Sequence, residues 1–134
     1  MISSANAVQF IKSNPKVAIV GLSPKTDRPS FHVGSFLSSH GFKITPINPN
    51  ADEILGFASK SSLADLSPGD VDWIDIFLNP ARLMGILPDI LRLRPKLVWC
   101  QIGVVNEEFR QRLEQEGIQF IEDKCPAIEW SAQG

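Results

Sequence analysis

The sequence predicts an α/β fold in which helices cover both faces of one five-stranded parallel sheet. Five short apolar runs recur along the 134 residues, and segments with helical periodicity or loops separate them. Continuous apolar runs of this length are typical of strands buried on both faces, as in parallel sheets. Alternation of strands and helices favours right-handed parallel connections within a single open sheet. The length fits one domain, so we expect a single domain over residues 1–134.

Each predicted strand is rich in apolar residues, and Gly21 terminates the first of them. The five runs, in chain order, are Val17–Val20, Phe42–Ile47, Trp73–Phe77, Leu97–Cys100 and Ile118–Ile121.

The helices are predicted from apolar spacing and from residues that favour helix ends. A short helix runs from Ser4 to the Asn14-Pro15 stop, and the longer ones span Pro29–His40, Pro80–Arg94 and Asn106–Glu116. Pro88 interrupts the third pattern, which predicts a kink there or two shorter pieces. The connection between the second and third strands is read as loop, with a weak turn at Ser61–Leu66.

These elements indicate a Rossmann-like domain with strand order 3-2-1-4-5. Ligands of such sheets bind beyond the carboxyl ends of the strands, where the strand order reverses, here between the first and fourth strands. The segments to examine are therefore Gly21–Ser30 and Gln101–Asn106.

Composition excludes several classes of function. The net charge of −2 argues against a nucleic-acid-binding protein, and no apolar run approaches the ~20 residues that span a membrane. No signal peptide is recognisable, and two cysteines are too few for a secreted disulfide framework, so we expect a cytoplasmic protein. Two cysteines and two histidines at unrelated spacings predict no metal site.

The loop after the first strand is suited to a pyrophosphate. It leads into a helix whose N-terminus offers free N–H groups and a positive dipole end to an anion. Ser23, Thr26 and Ser30 add hydroxyl groups, and Lys25 and Arg28 add positive charge. The loop has neither a G-x-G-x-x-G motif nor a P-loop, so a solvated connection with ordinary surface charges is the alternative.

The residues at the tip of the second strand indicate which kind of nucleotide cofactor the chain would bind. NAD-binding units place an acidic residue there to accept hydrogen bonds from the ribose hydroxyls. Here the strand ends Ile47-Asn48-Pro49-Asn50, and the first acids come later, at Asp52 and Glu53. A neutral tip does not repel a phosphorylated ribose, which favours coenzyme A (CoA) or NADP over NAD.

Several stretches together resemble one known family. They are VAIVGLSPKTDRPSFHVGSFLSSHGF, PINPNADEILG, SLADL, QIGVVNEE and DKCPAIEW, spread from about Val17 to Trp130. In these motifs the chain resembles small bacterial and archaeal CoA-binding proteins, related to the CoA-binding domain of the succinyl-CoA synthetase α subunit. The resemblance implies a Rossmann-like fold that binds CoA through its ADP moiety, and it implies no reaction.

The resemblance also implies a set of cofactor-binding residues. The pyrophosphate site would comprise Gly21, Ser23, Lys25, Arg28 and Ser30. Asn48 and Pro49 would lie beside the ribose and adenine, with Phe77, Leu78 and Asn79 at the tip of the third strand; Gln101, Ile102 and Gly103 would line the pantetheine side.

The chain departs from the family pattern at two places near the predicted ribose. Many relatives carry a basic residue where this chain has Asn50, and an arginine near Leu78. The loss of those charges is expected to weaken the contact with the 3′-phosphate of CoA.

The two histidines lead to different interpretations. His32 lies near the predicted phosphate site, where it is either a ligand donor or, more commonly, a surface histidine. His40 precedes Gly41 at a helix C-terminus, and we interpret it as a capping residue.

Cysteines and strand aspartates offer few catalytic candidates. Cys100 ends a buried strand and is predicted to belong to the core. Cys125 is either a partly buried structural cysteine or a thiolate favoured by the adjacent Lys124. Asp72 and Asp75 are interpreted as polar groups at a strand end or interface.

The function predicted from the sequence is binding of CoA or an acyl-CoA without catalysis, with no nucleic-acid or membrane partner. An alternative is a small NADP-dependent or other nucleotide-dependent enzyme, although the chain has no tyrosine to serve as a proton donor. A third possibility is an interaction protein built on a Rossmann-like core.

Overall fold

The computed structural model describes residues Met1–Gly134 and contains seven strands and five α-helices. The strands are β1 Lys16–Val20, β2 Lys43–Ile47, β3 Glu53–Ile54, β4 Phe57–Ala58, β5 Trp73–Ile76, β6 Leu97–Cys100 and β7 Gln119–Ile121. The helices are α1 Ser4–Lys12, α2 Pro29–Ser39, α3 Leu83–Leu93, α4 Glu107–Gln115 and α5 Pro126–Ala132. Short 3₁₀ turns occupy Leu63–Asp65 and Pro80–Arg82.

Five strands form one parallel sheet in the order β2-β1-β5-β6-β7, which confirms the predicted fold class. The predicted order 3-2-1-4-5 is wrong, because the third apolar run, β5, lies between β1 and β6 rather than outside β2. All four residues of β5 are buried, as an interior strand requires. The β2 strand contains Pro46, which lacks an N–H, and begins with the exposed Lys43, so it suits an edge.

The corrected order moves the point where the strand order reverses. It lies between β1 and β5, not between the first and fourth predicted strands. The carboxyl ends of these two strands are joined by a hydrogen bond from the Phe77 N–H to the Val20 carbonyl, 2.9 Å. The general rule for such sheets therefore directs attention to the tips of β1 and β5.

Helices cover both faces of the sheet, because alternate strand residues point into two separate cores. Val17 and Ile19 join the core formed with α1, α2 and α5, whereas Ala18 and Val20 join the core formed with α3 and α4. No helix combines the length and the apolar character needed to cross a bilayer.

The predicted helices are confirmed, with two differences in detail. The third one begins as the 3₁₀ turn Pro80–Arg82, and α3 then continues without a break through Pro88. Of the two outcomes predicted at Pro88, the division into two pieces is therefore wrong; Pro88 lies on the exposed side of the continuous helix.

Two elements were not anticipated from the sequence. The connection after β2 contains the antiparallel pair β3–β4, whose turn residues Leu55 and Gly56 both have positive φ, 56° and 84°. After β7 the chain forms α5, with Pro126 in its first turn. The predicted turn at Ser61–Leu66 is present as the 3₁₀ turn Leu63–Asp65.

Candidate functional site

A groove runs along the edge of the sheet where β1, β2, β5 and β6 end. It consists of three adjoining pockets: a polar pocket of about 350 Å³ near β2, a loop pocket of about 240 Å³ near the β1–α2 loop, and an apolar pocket of about 580 Å³ near β6. Gly21 lines both the polar and loop pockets, and Phe77 lines both the loop and apolar pockets. Leu78 is shared by the polar and apolar pockets, so the three form one continuous surface.

The floor of the groove depends on Gly21. Its φ is +83°, in the region that favours glycine, and a Cβ there would lie far inside van der Waals distance of the Phe77 carbonyl oxygen. A side chain at this position would therefore both strain the backbone and push apart the ends of β1 and β5.

The loop pocket contains most of the predicted pyrophosphate site. Its lining residues are Gly21, Ser23, Arg28, Pro29, Ser30 and Phe77. The buried Ser30 hydroxyl accepts a hydrogen bond from the Ser23 N–H at 2.9 Å, which folds the loop back onto the first turn of α2.

The first turn of α2 is open toward this pocket. Arg28 has an extended backbone at the N-cap position and makes no side-chain capping bond, and Pro29 follows as the first helical residue. The helix dipole and the Arg28 side chain thus place positive charge beside the loop pocket, an arrangement that suits an anion.

The polar pocket is formed by the β2 tip and the segment that crosses over to β5. Asn48 fixes the tip, because its Nδ2 donates to the Leu22 carbonyl at 3.0 Å and its Oδ1 accepts from the Asn50 N–H at 2.7 Å. No carboxylate lines this pocket, and its one charged residue is Arg82. Its lining residues are Val20, Gly21, Ile47, Asn48, Pro49, Asn50, Ser61, Ser62, Leu63, Leu78, Arg82 and Ile86.

The apolar pocket lies between β6 and α5. Two of its side chains, Ile102 and Ile128, are 62% and 57% exposed, which is unusual for large apolar residues. The pocket is lined by Pro29, His32, Phe77, Leu78, Gln101, Ile102, Val104, Cys125 and Ile128.

Gln101 follows β6 and lines this pocket, and a hydrogen bond to a buried residue of the sheet fixes its side chain. Its Nε2 donates to Oδ1 of Asp75, a fully buried carboxyl in the middle of the sheet. The other oxygen of Asp75 has no hydrogen-bond partner. Burial raises the pKa of Asp75 to about 7, against the opposing effect of the hydrogen bond from Gln101.

The interpretation of Asp75 as a strand-end or interface group is wrong. Its side chain lies beneath the groove and orients Gln101, so that the Gln101 Oε1 is left without a partner in the chain. By contrast, Asp72 does lie beside the start of β5, where its Oδ2 accepts from the Lys16 N–H at 3.1 Å.

Three predicted site residues do not line the groove. Lys25 is exposed and lines none of the three pockets. Asn79 uses its side-chain oxygen to cap the turn after β5, accepting from the Ala81 N–H at 2.9 Å. Gly103 has its N–H bonded to Asp123 Oδ1 at 2.8 Å. The structure brings the other ten predicted residues together: Gly21, Ser23, Arg28, Ser30, Asn48, Pro49, Phe77, Leu78, Gln101 and Ile102.

Several residues that line the groove were not among those predicted from the sequence. Arg82 follows Pro80 directly after β5, and a free arginine beside a strand end is a signal that was present in the sequence. Ser61 and Ser62 reach the groove only because the crossing segment returns past the β2 edge, where the Lys60 N–H donates to the Pro46 carbonyl at 2.9 Å. Ile128 belongs to α5, which the sequence analysis did not assign.

The structure also places the histidines and cysteines. His40 caps α2 as predicted, with its Nδ1 2.8 Å from the Phe36 carbonyl oxygen. Cys100 is fully buried, and burial raises the pKa of its thiol well above its ordinary value. His32 and the half-buried Cys125 both line the apolar pocket.

Known proteins resemble this chain in sequence and in fold. An uncharacterised Bacillus subtilis protein, YneT, is 34% identical over 123 residues, which cover 92% of this chain and 90% of that protein. A solved structure from Thermus thermophilus matches with a TM-score of 0.92 at 31% identity, over 99% of this chain and 100% of the other. The ADP-forming acetate–CoA ligase II of Archaeoglobus fulgidus is 38% identical over 77 residues, which cover 56% of this chain but only 11% of the ligase.

The family match covers nearly the whole chain and includes every pocket of the groove. Residues 15–131 match the family described as the CoA binding domain. The β1–α2 loop, the β2 tip and the segment after β6 all lie inside the matched range. The chain belongs to the CoA binding domain family.

Proposed function

We propose that this chain, acting as one domain over residues 1–134, binds CoA or an acyl-CoA along the groove and carries out no reaction on it. The observation that carries the proposal is the order of chemistry along the groove. A polar pocket without carboxylates, a positively charged loop pocket and an apolar pocket follow one another. CoA has the same order: a phosphorylated adenosine, a pyrophosphate, and a pantetheine arm that ends in a thiol.

The loop pocket supports the pyrophosphate position. Arg28 and the N-terminus of α2 supply positive charge there, and Gly21 allows a ligand to approach the backbone closely. The pyrophosphate in this position directs the adenosine toward Asn48 and the pantetheine arm across the end of β5.

The apolar pocket supports the position of the pantetheine arm. Phe77, Leu78 and Ile102 offer an apolar surface to its methyl and methylene groups. The free Oε1 of Gln101 is an acceptor for an amide N–H of the arm. The volume of about 580 Å³ also leaves room for an acyl group beside Ile128.

The absence of catalysis is part of the proposal and rests on the lining residues. His32 and Cys125 are the residues of the apolar pocket with acid–base or nucleophilic chemistry. No hydrogen bond joins the side chains of these two residues to each other or to a third group, so the pocket offers no base paired with the thiol and no group that orients the imidazole. A carrier or regulatory role for a bound CoA ester needs no such pairing.

A thermal-shift panel tests the proposal against its alternatives. A ligand that binds the native state alone raises the melting temperature, and the increase grows with the logarithm of the ligand concentration divided by its dissociation constant. We expect CoA and acetyl-CoA to raise the melting temperature most, NADP less and NAD least. A larger shift with NADP than with CoA would favour a nucleotide-dependent enzyme instead, and no shift with any of the four would favour an interaction protein.

A further inference from the structure

Arg82 is an unpaired cation at the adenosine end of the groove. Three of the arginines, Arg92, Arg94 and Arg110, hold backbone carbonyls or carboxylates elsewhere in the fold. The side chain of Arg82 makes no hydrogen bond and no ion pair, although it lines a defined pocket. An exposed arginine without a partner on a pocket wall is available to a ligand anion.

The backbone of Arg82 is held in place from both sides. The Asn79 side chain caps the turn that contains it, and the Arg82 N–H donates to the Asn79 carbonyl at 2.8 Å. The next residue, Leu83, is fully buried and begins α3. The guanidinium is therefore carried by a fixed segment and not by a loop tip.

The other polar groups of the polar pocket suit a phosphate. Ser61, Ser62 and Asn50 line it together with Arg82, and no carboxylate among the lining residues competes for the guanidinium. Asn50 itself is neutral, so the β2 tip contributes no charge of its own.

We propose that Arg82 binds the ribose 3′-phosphate of CoA and sets the preference of the groove for CoA over dephospho-CoA. The inference rests on the proposed function, because it requires the adenosine to lie in the polar pocket. Arg82 then supplies, from the segment after β5, the positive charge that Asn50 at the β2 tip lacks. A planar guanidinium can donate two parallel hydrogen bonds to a phosphate, which a lysine cannot reproduce.

The test compares two ligands that differ only in the 3′-phosphate. Dissociation constants for CoA and dephospho-CoA are measured by calorimetry on the wild-type protein, Arg82→Gln, Arg82→Lys and Arg112→Gln. Arg112 is the matched control, since it is exposed, unpaired and outside the groove, and its loss changes the net charge equally. We expect the wild type to bind CoA about tenfold more tightly than dephospho-CoA, as for one charge-assisted contact.

The variants separate the possible outcomes. Arg82→Gln should lower the affinity for CoA about tenfold and leave the affinity for dephospho-CoA unchanged. The affinity of Arg82→Lys for CoA should lie between those of the wild type and Arg82→Gln. Arg112→Gln should bind both ligands as the wild type does. Adding Asn50→Lys to Arg82→Gln should restore the preference. Equal losses for both ligands in Arg82→Gln, or equal binding of both by the wild type, would overturn the role of Arg82 while leaving CoA binding intact. Binding of neither ligand by the wild type would overturn the proposed function and this inference with it.

Discussion

At the scale of single residues, Gly21 connects the sequence most directly to the groove. It ends β1 with a positive φ, and its missing side chain lets the Phe77 carbonyl approach. The position was identified from the sequence as a strand terminator and a phosphate-site glycine. A glycine is required there because the backbone contacts the end of β5, and that contact depends on the strand order, which the sequence did not predict.

Replacement of Gly21 by alanine is expected to destabilise the protein and to weaken CoA binding. The Cβ would collide with backbone at a positive φ, at a cost of at least about 1–3 kcal/mol. Gly85→Ala is the matched control, since that glycine lies inside α3 with open space around it. It should stabilise the protein by up to about 1 kcal/mol. Urea denaturation checks both, and a Gly21→Ala variant as stable as the wild type would contradict the close approach.

Asp75 is a second residue whose position the sequence did not predict. An aspartate in the middle of an apolar strand looks like an edge or interface group, because burial of a carboxyl is unfavourable. Its position below Gln101 gives the burial a reason, since Asp75 binds the side-chain amide that lines the apolar pocket.

The burial of Asp75 predicts a loss of stability as pH rises. Its pKa is about 7 in the folded chain against an ordinary 3.8, so between these values the folded state holds a proton that the unfolded state has lost. Stability should therefore fall from about pH 4 to pH 7 and level off above, by an amount of the order of 4 kcal/mol at 1.36 kcal/mol per pKa unit.

Asp75→Asn tests this pH dependence. Asparagine resembles the protonated acid, and its side-chain oxygen can still accept the hydrogen bond from Gln101. The variant should therefore become more stable relative to the wild type as pH rises. The free energy of unfolding, measured in urea at pH 5 and pH 8, should fall for the wild type relative to the variant by about 2–3 kcal/mol between the two pH values. Parallel pH profiles would show that Asp75 does not titrate in this range.

At the scale of elements, the β1–α2 loop carries two cations that were both predicted to bind the pyrophosphate, and only one of them lines the loop pocket. Arg28 lines the loop pocket, whereas Lys25 is exposed and lines none of the three pockets. The sequence could identify the loop because it joins a strand to a helix N-terminus. It could not separate the two cations, because that separation depends on the three-dimensional course of the loop.

The two cations should therefore differ in their effect on CoA affinity. Arg28→Ala should weaken binding about fivefold, or about 1 kcal/mol, a value reduced from that of a buried charge pair because the side chain is exposed. Lys25→Ala should change affinity less than about twofold, and the double variant should resemble Arg28→Ala. Calorimetry at moderate salt measures all three, and equal losses from both single changes would contradict the placement of Lys25.

Strand order and the unassigned elements have simple physical causes. Pro46 in the second apolar run is a sequence signal for an edge strand, and it argues against a further strand outside β2. The pair β3–β4 contains two residues per strand, too few for an alternating pattern to be recognised. Helix α5 has seven residues and begins with the Cys125-Pro126 pair, which reads locally as a turn.

At the scale of the whole molecule, the groove exists because the strands are parallel. Parallel strands bring all their carboxyl ends to one edge, so the loops after β1, β2, β5 and β6 meet there. The periodicity of apolar residues was enough to predict this edge, and the resemblance to CoA-binding proteins implied the ten residues that line it. Arg82, Ser61, Ser62 and Ile128 required the three-dimensional course of the connections.

The neutral β2 tip should govern the choice between CoA and NAD. Asn48→Asp adds an acceptor for ribose hydroxyls and repels the 3′-phosphate, so the preference for CoA over NAD should fall or reverse. The same change removes the bond from Asn48 Nδ2 to the Leu22 carbonyl, so the ratio of the two affinities, not either alone, is the measure. Asn50→Asp is the matched variant that adds a carboxylate to the polar pocket and keeps that bond. An unchanged ratio in both would contradict the placement of the ribose.

Calorimetric titration of the wild-type protein with CoA and with NAD tests the central claim most directly. We expect CoA to bind with one ligand per chain and about tenfold more tightly than NAD, a difference near 1.4 kcal/mol. The preference should come from the 3′-phosphate and the pantetheine arm, which NAD lacks. Binding of NAD as tight as that of CoA, or no binding of CoA at all, would contradict it.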